Sequence, residues 1–240
     1  MNLCIDIGNT RIKIGIFNDG VLIYNDTFKR MTQEEIKVLF QKYKITKAIS
    51  SSTRKSISTF EKRINRHIKL TRLTHKTLVP LTNLYQTPNT LGKDRLAGVV
   101  ACTKLYPNQN CLVIDAGTCI TYDIITAKKE YLGGNISPGL KMRAEAMDTM
   151  TSTLPIVKPI YNKDYIGKNT TMAMQNGIVY GTKFEIESLI TMIKQDIGNI
   201  NVIITGGDAQ FFVDILNSKI FVHSYLILEG LDVIINYNAA

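Results

Sequence analysis

Residues Leu3-Cys-Ile-Asp-Ile-Gly-Asn-Thr-Arg-Ile-Lys13 run from a β-branched, apolar strand through an Asp-x-Gly turn into a second strand, and Leu112-Val-Ile-Asp-Ala-Gly-Thr-Cys-Ile-Thr121 does the same again. Aligning Asp6 with Asp115 also aligns Gly8 with Gly117, a spacing of 109 residues. A strand–turn–strand unit that restarts halfway along the chain favours an α/β protein of two pseudo-duplicated lobes over one continuous dinucleotide-binding sheet. Two carboxylates and two glycine turns in equivalent positions suit a cleft that holds a metal-bound polyphosphate.

Working outward, strands are expected over 3–7, 12–17 and 21–27, with Asn18-Asp19-Gly20 turning the second into the third. Thr32 followed by Glu35 signals the start of a helix over 33–43, and 45–50 reads as a short strand. A helix over 56–67 follows. Pro80 and Pro88 punctuate a loop that contains Tyr85, and Asn89 to Asp94 leads into an apolar helix ending near Leu105. Pro107 to Asn110 is the expected boundary, giving lobes of 1–107 and 108–240. Beyond it the pattern predicts strands at 111–115 and 120–125, a turn at Gly133-Gly134, a helix over 171–195, a strand at 201–205, a Gly206-Gly207-Asp208 turn and a terminal helix from about Leu228.

Composition narrows the classes. The 240 residues, 45% hydrophobic, are enough to bury a substantial core. Apolar runs are broken by charge well short of the roughly 20 residues that span a bilayer, and the first strand begins too early to leave room for a leader, so a cytoplasmic protein with no membrane association is expected. Cys4, Cys102, Cys111 and Cys119 have no paired C-x-x-C spacing and are read as small packing residues in a reducing compartment. The net charge of +9 is concentrated in residues 42–76, where eleven Lys/Arg face Glu61 alone. Without repeated aromatic interleaving or a recognition motif, that stretch is read as a solvated basic face, with no specific nucleic-acid partner.

The chemistry is carried by turns. Gly8 lets backbone approach an anion, Asn9 and Thr10 supply donors, and Lys13 adds a cation near the same hairpin. Asp6 repels a bare phosphate, and a divalent cation resolves that conflict. Asp6 and Asp115 are therefore the candidate metal positions, with Mg²⁺ favoured over zinc because the available ligands are oxygens. No P-loop is present. Gly206, Gly207 and Asp208 after an apolar strand can admit a flat or phosphorylated ligand. Gly92-Lys93-Asp94-Arg95 adds a carboxylate able to accept a hydroxyl proton and a guanidinium able to hold a carboxylate, at the expected start of a helix.

Taken together, D-I-G-N-T-R-I-K, L-G-K-D-R, V-I-D-A-G-T-C-I-T-Y-D, the Gly133–Gly139 stretch, Gly167 to Thr170 and Thr205 to Asp208 closely resemble the type III pantothenate kinases, of the acetate-kinase, sugar-kinase, Hsp70 and actin superfamily. The resemblance implies ribonuclease-H-like (actin-like) lobes around a nucleotide cleft and transfer of the ATP γ-phosphoryl group to pantothenate, the first step of coenzyme A synthesis. It puts the general base on Asp94 and substrate contacts on Tyr85, Gly92, Lys93, Asp94, Arg95, Gly134, Asn169 and Thr170. It puts ATP at Asp6, Ile7, Gly8, Asn9, Thr10, Arg11, Ile12 and Lys13, with Gly117 and Thr118 opposite and Gly206, Gly207 and Asp208 toward the nucleoside. It also implies Mg²⁺, an activating monovalent cation (K⁺ or NH₄⁺) whose surroundings Asp115 could help organise, and a homodimer with its active site at the subunit contact. Cys119, where a smaller residue is frequent, and Ala97-Gly98, near a frequent asparagine, depart from the family pattern. The alternatives on the residues alone are a related kinase with another acceptor and a non-catalytic polyanion-binding protein.

Overall fold

The computed structural model describes residues 1–8, 10–52 and 58–239. The chain divides into two compact units: Met1–Asn108 with Ile125–Gly133 and Tyr225–Ala240, and Gln109–Ile124 with Gly134–Ser224. The first unit opens with β1 (Asn2–Ile7), β2 (Ile12–Asn18) and β3 (Val21–Phe28), followed by α1 (Gln33–Lys42), β4 (Lys47–Ser52), α2 (Thr59–Ile64), β5 (Leu70–Arg72), β6 (Thr82–Asn83) and α3 (Lys93–Leu105). The second holds β7 (Cys111–Ala116), β8 (Cys119–Ile125), β9 (Glu130–Pro138), α4 (Leu140–Met150), α5 (Thr170–Ile197), β10 (Asn201–Thr205), α6 (Ala209–Val213) and β11 (Phe221–Val222). The N-terminal part of β9 counts with the first unit, where it pairs with β6. The chain ends in α7 (Leu226–Tyr237), back in the first unit.

In the first unit the sheet order is β3-β2-β1-β4-β5. β1 is antiparallel to β2 and parallel to β4, and as an inner strand it is buried along its whole length. That explains its unbroken apolar run, which serves two covered faces. β3, at the edge, alternates exposed and half-buried residues. Asp19 and Gly20 both have positive φ (48° and 79°), the mirror-image turn whose twist suits a tight hairpin. α1 starts at a capping box, in which Glu35 N donates to Thr32 Oγ1 at 3.2 Å and Thr32 N donates to Glu35 Oε2 at 2.6 Å. α7 closes this unit against α3 and β1. A β-carbon at Gly230 would lie 1.8 Å from the Ala97 carbonyl oxygen, so the two helices meet backbone to backbone.

The other sheet has the order β11-β10-β7-β8-β9-β6, with β10 parallel to both β7 and β11. With β6 at its edge left aside and β7 numbered first, its strands run, from β9, third, second, first, fourth, fifth, the order of the first sheet. The recurrence reaches individual residues: Asp6 on the first strand faces Ser51 on the fourth, and Asp115 faces Thr205. Each unit buries its own apolar cluster, one around Leu3, Ile5, Ile14 and Ile36, the other around Leu112, Ile114, Val179 and Phe212.

Several expectations are corrected. The expected lobes were contiguous, whereas α7 and Ile125–Gly133 belong to the first unit. Gly133-Gly134 is not a turn: β9 runs through it, because a β-carbon at Gly134 would lie 1.5 Å from the Tyr122 carbonyl oxygen and only glycine lets the backbones approach. The fourth strand is shifted to 47–52, and α2 is shorter than 56–67, starting after a Ser58 cap; residues 56 and 57 lie outside the described residues. Within the basic stretch Glu61 is buried, bonded by Ser50 Oγ at 3.0 Å and paired with Arg72 at 3.5 Å, so one cation of the stretch serves a buried carboxylate. Among the described residues no helix is long and apolar enough to cross a membrane.

Candidate active site

The hairpin between β1 and β2 sets out the first group of residues. Asp6 is 9% exposed near the end of β1, and its cross-strand partner is Lys13. Opposed residues of an antiparallel pair project from the same face, so a carboxylate and an ammonium share one side of the hairpin. Gly8 N donates to Arg11 O at 3.0 Å, closing the turn, while Thr10 and Arg11 are exposed at its tip. Ile7 is fully buried in the core and Ile12 half-buried. Asn9 lies outside the described residues.

A second group forms at the start of α3. Gly92 is the N-cap and has no side chain with which to cap, and a β-carbon there would stand 2.6 Å from Asp94 Oδ1. The Asp94 carboxylate thus folds back over Gly92, where it also accepts Arg95 N at 2.8 Å. A carboxylate in the first helical turn is favoured by the helix dipole. Lys93 Nζ donates to Leu91 O at 2.7 Å; burial pulls its ammonium pKa down, opposed by Asp94. The Arg95 guanidinium is buried and sits over the Tyr85 ring, 5.6 Å from its centroid. Tyr85 stacks on Tyr131 at 6.1 Å and presses on Gly133, where a β-carbon would be 3.1 Å from the ring. Tyr85, Gly92, Lys93, Asp94 and Arg95 are therefore brought together as a cluster of carboxylate, cations and aromatic ring.

A third group occupies the second unit, at the ends of β7 and β10. Gly206 takes φ +99°, and a β-carbon on it would meet Ala116 O at 2.3 Å and Asp115 Oδ1 at 2.5 Å. Asp208 N donates to Ala116 O at 2.9 Å, so the two turns are stitched together. Burial pushes the Asp208 carboxyl pKa up. A β-carbon on Gly117 would be 3.8 Å from Asp115 Oδ1, and one on Gly207 would meet nothing within 4 Å. Asp115, Gly117, Thr118, Gly206, Gly207 and Asp208 thus converge.

The remaining positions stand apart. Asn169 is the N-cap of α5, its side chain accepting Met172 N at 2.9 Å, and Thr170 follows on the exposed first turn. Gly134 has a packing role under Tyr122. The sequence reading overlooked Ser51 and took Thr205 only as part of a motif; these are the buried hydroxyl residues across from Asp6 and Asp115, and their shared signal is a hydroxyl near the end of each fourth strand.

The donor set has the chemistry of magnesium. Among the described residues no group of three or more His, Cys, Asp or Glu could hold a metal by itself. Isolated carboxylates beside glycine turns would suit an ion held by one or two carboxylates together with the phosphates of a substrate.

Comparison with known proteins follows the same lines. A family model described as type III pantothenate kinase matches residues 2–192. A type III pantothenate kinase of Phocaeicola vulgatus is 40% identical over 239 residues, covering 99% of both chains. Among solved structures, a conserved Baf-family chain from Campylobacter jejuni superposes with a TM-score of 0.64 at 24% identity, covering 99% of this chain and 98% of that one. The activator of 2-hydroxyisocaproyl-CoA dehydratase from Clostridium difficile, with bound ADPNP, gives 0.54 at 14% identity over 99% and 94%. These two likenesses show the same two-sheet α/β fold.

Proposed function

Because the chain belongs to the type III pantothenate kinase family, enzymes of the ATP-dependent phosphorylation step of coenzyme A biosynthesis, we propose that pantothenate is its acceptor and that Asp94 is its general base. The observation that carries the residue assignment is the cluster at the start of α3, where Asp94 and Arg95 adjoin the Tyr85 ring.

The primary hydroxyl oxygen of pantothenate attacks the γ-phosphorus as the bond from that phosphorus to the β–γ bridging oxygen breaks. ADP leaves, and the hydroxyl proton passes to Asp94. Arg95 holds the acceptor's carboxylate, and Tyr85 offers apolar surface to its geminal dimethyl portion, with Gly92 and Lys93 at the edge. Gly134, Asn169 and Thr170 complete the acceptor pocket in this reading. The turn amides after β1, Lys13, and the Gly117-Thr118 turn offset charge on the phosphates, and Gly206, Gly207 and Asp208 receive the nucleoside. Asp6 and Asp115 would hold magnesium, directly or through water, and the ion would supply positive charge against the phosphates. Asp115 would also serve a monovalent cation, K⁺ or NH₄⁺.

The matched strand orders support reading the units as pseudo-duplicated ribonuclease-H-like lobes around a nucleotide cleft; the dehydratase activator of similar fold holds ADPNP. Exposed apolar side chains in the second unit, including Met150, Ile156, Tyr165, Ile166 and Phe184, support a homodimer. A coupled ADP assay with ATP, Mg²⁺ and K⁺ tests the whole reading: ADP formation should require pantothenate, and equal turnover with sugars or acetate would overturn the acceptor.

A further inference from the structure

The second unit holds an ion pair that the chemistry above does not use. Tyr122, on β8, is 1% exposed, and its hydroxyl donates to Glu185 Oε1 on α5 at 2.8 Å. The other Glu185 oxygen pairs with the Arg143 guanidinium on α4. Burial alone would raise the Glu185 pKa, but the Ser137 and Tyr122 hydroxyls and the Arg143 charge outweigh it and hold the carboxyl below its ordinary value. Burial and Glu185 together raise the Tyr122 phenol. The Glu185 carboxylate is thereby held between the Tyr122 hydroxyl and the Arg143 guanidinium.

The pair's other end leads to the phosphate turn. Arg143 Nε donates to Pro138 O at 2.8 Å, so one guanidinium joins α5 to the last residue of β9. The next residue, Gly139, donates its N–H to Thr118 O at 3.1 Å. A β-carbon on Gly139 would lie 2.2 Å from Gly117 O and 2.7 Å from Thr118 O, so this backbone lies directly on the turn. The Pro138 carbonyl and the Gly139 N–H belong to one planar peptide group, so a shift of that carbonyl moves the N–H bonded to Thr118. The mechanical path from Glu185 to Thr118 is continuous and lies within one unit.

We propose that Arg143 and Glu185 are positioning residues for ATP: through Pro138 and Gly139 they fix the Gly117-Thr118 turn in the orientation that receives the polyphosphate. The proposal rests on the reading of Thr118 as a nucleotide contact. A planar guanidinium spanning two acceptors in different directions is a demand that lysine, with one nitrogen, does not meet. The aliphatic stem and the charge are not enough.

Arg143→Lys and Glu185→Gln should be compared with the parent and with Thr118→Ala by steady-state kinetics, by calorimetric titration with ATP·Mg²⁺ and by thermal melting. The expected result is a rise of about tenfold in KM for ATP, or an equal loss of nucleotide affinity, with KM for pantothenate within twofold of the parent. Combining either variant with Thr118→Ala should add less than the product of the single effects, since one turn is disturbed in both. If Thr118→Ala leaves ATP use unchanged, the nucleotide reading of that turn fails and the proposal with it. If Thr118→Ala weakens ATP use but folded Arg143→Lys and Glu185→Gln do not, the proposal alone fails. Loss of folding in both variants, or equal increases in both KM values, would make the pair a purely structural brace and also overturn it.

Discussion

The side chain of Asn2 donates to Asp232 Oδ1 at 2.8 Å, joining the first strand to the last helix across almost the whole chain. Asn236 meets the other Asp232 oxygen at 3.3 Å, and all of this lies beside the buried thiol of Cys4, whose pKa is raised first by burial and then by Asp232. An aspartate 1% exposed tolerates this place only because amide donors surround it. Asn2→Ala should therefore cost about 1–3 kcal/mol, the penalty of a buried acceptor left short of a donor. Urea unfolding checks it, and a midpoint within error of the parent would show that Asn236 alone satisfies the carboxylate.

Asp94→Asn should lower turnover of pantothenate by about 10²- to 10⁴-fold, the usual worth of a general base, while folding and ATP affinity are kept. Asparagine preserves the acceptor oxygen that receives Arg95 N and removes the basicity. Turnover and nucleotide binding measured on the same preparation separate the two effects, and undiminished turnover removes Asp94 from the base role.

Asp6→Asn should act through Mg²⁺ rather than through the acceptor. With the carboxylate gone, Lys13 still faces the same position across the hairpin, so the turn keeps a cation for phosphate but loses its anionic partner for the ion. The rate should need a several-fold higher Mg²⁺ concentration, with KM for pantothenate unchanged; an unaltered Mg²⁺ titration argues against the assignment.

Gly206 and Gly207 should respond in opposite ways to alanine. At Gly206 the positive φ and the close Ala116 and Asp115 oxygens make Gly206→Ala strained, by about 1–2 kcal/mol from the left-handed backbone alone and more from the clash. Gly207→Ala meets open space and should keep the parent's stability within about 0.5 kcal/mol. If a nucleoside passes over Gly207, the second variant will nevertheless raise KM for ATP; thermal melts and ATP titrations of both variants give the comparison.

The lowered pKa of Glu185 sets the sign of an acid effect. A carboxyl whose folded pKa lies below its unfolded value contributes stability that is present above the unfolded pKa, about 4.3, and is lost as pH falls through the folded one. Parent protein should melt at a higher temperature than Glu185→Gln at pH 7, and the gap should close as pH drops below about 4. A gap independent of pH would mean that the carboxylate's charge is not what stabilises the pair.

Much of this arrangement was legible in the residues. The duplicated Asp-x-Gly pattern, the Asn18–Gly20 hairpin and the Thr32–Glu35 box each declare themselves within a few positions, because local backbone chemistry dictates them. Gly92 and Asp94 were legible as neighbours at a helix start but not as a geometry, since the carboxylate folding back over a glycine is a matter of side-chain rotation. Gly133-Gly134 misled because the need for glycine comes from the Tyr85 ring and the Tyr122 carbonyl, neither of which is adjacent in sequence. α4 went unread because it starts at Gly139 without a side-chain cap and has only two buried residues, Leu140 and Ala144. The Arg143–Glu185 pair joins residues 42 positions apart on separate helices, and no local spacing announces it.

The return of α7 to the first unit has a consequence for biosynthesis. Until Gly230 and Asp232 have been made, Ala97 and Asn2 lack those partners, so an early-made segment waits for a later one. The usual vectorial order, in which the leading domain is complete before the next emerges, is therefore unavailable to this protein. A nascent chain stalled before Leu226 would present an open, apolar α3 to chaperones, and removal of Leu226–Tyr237 would harm the first unit.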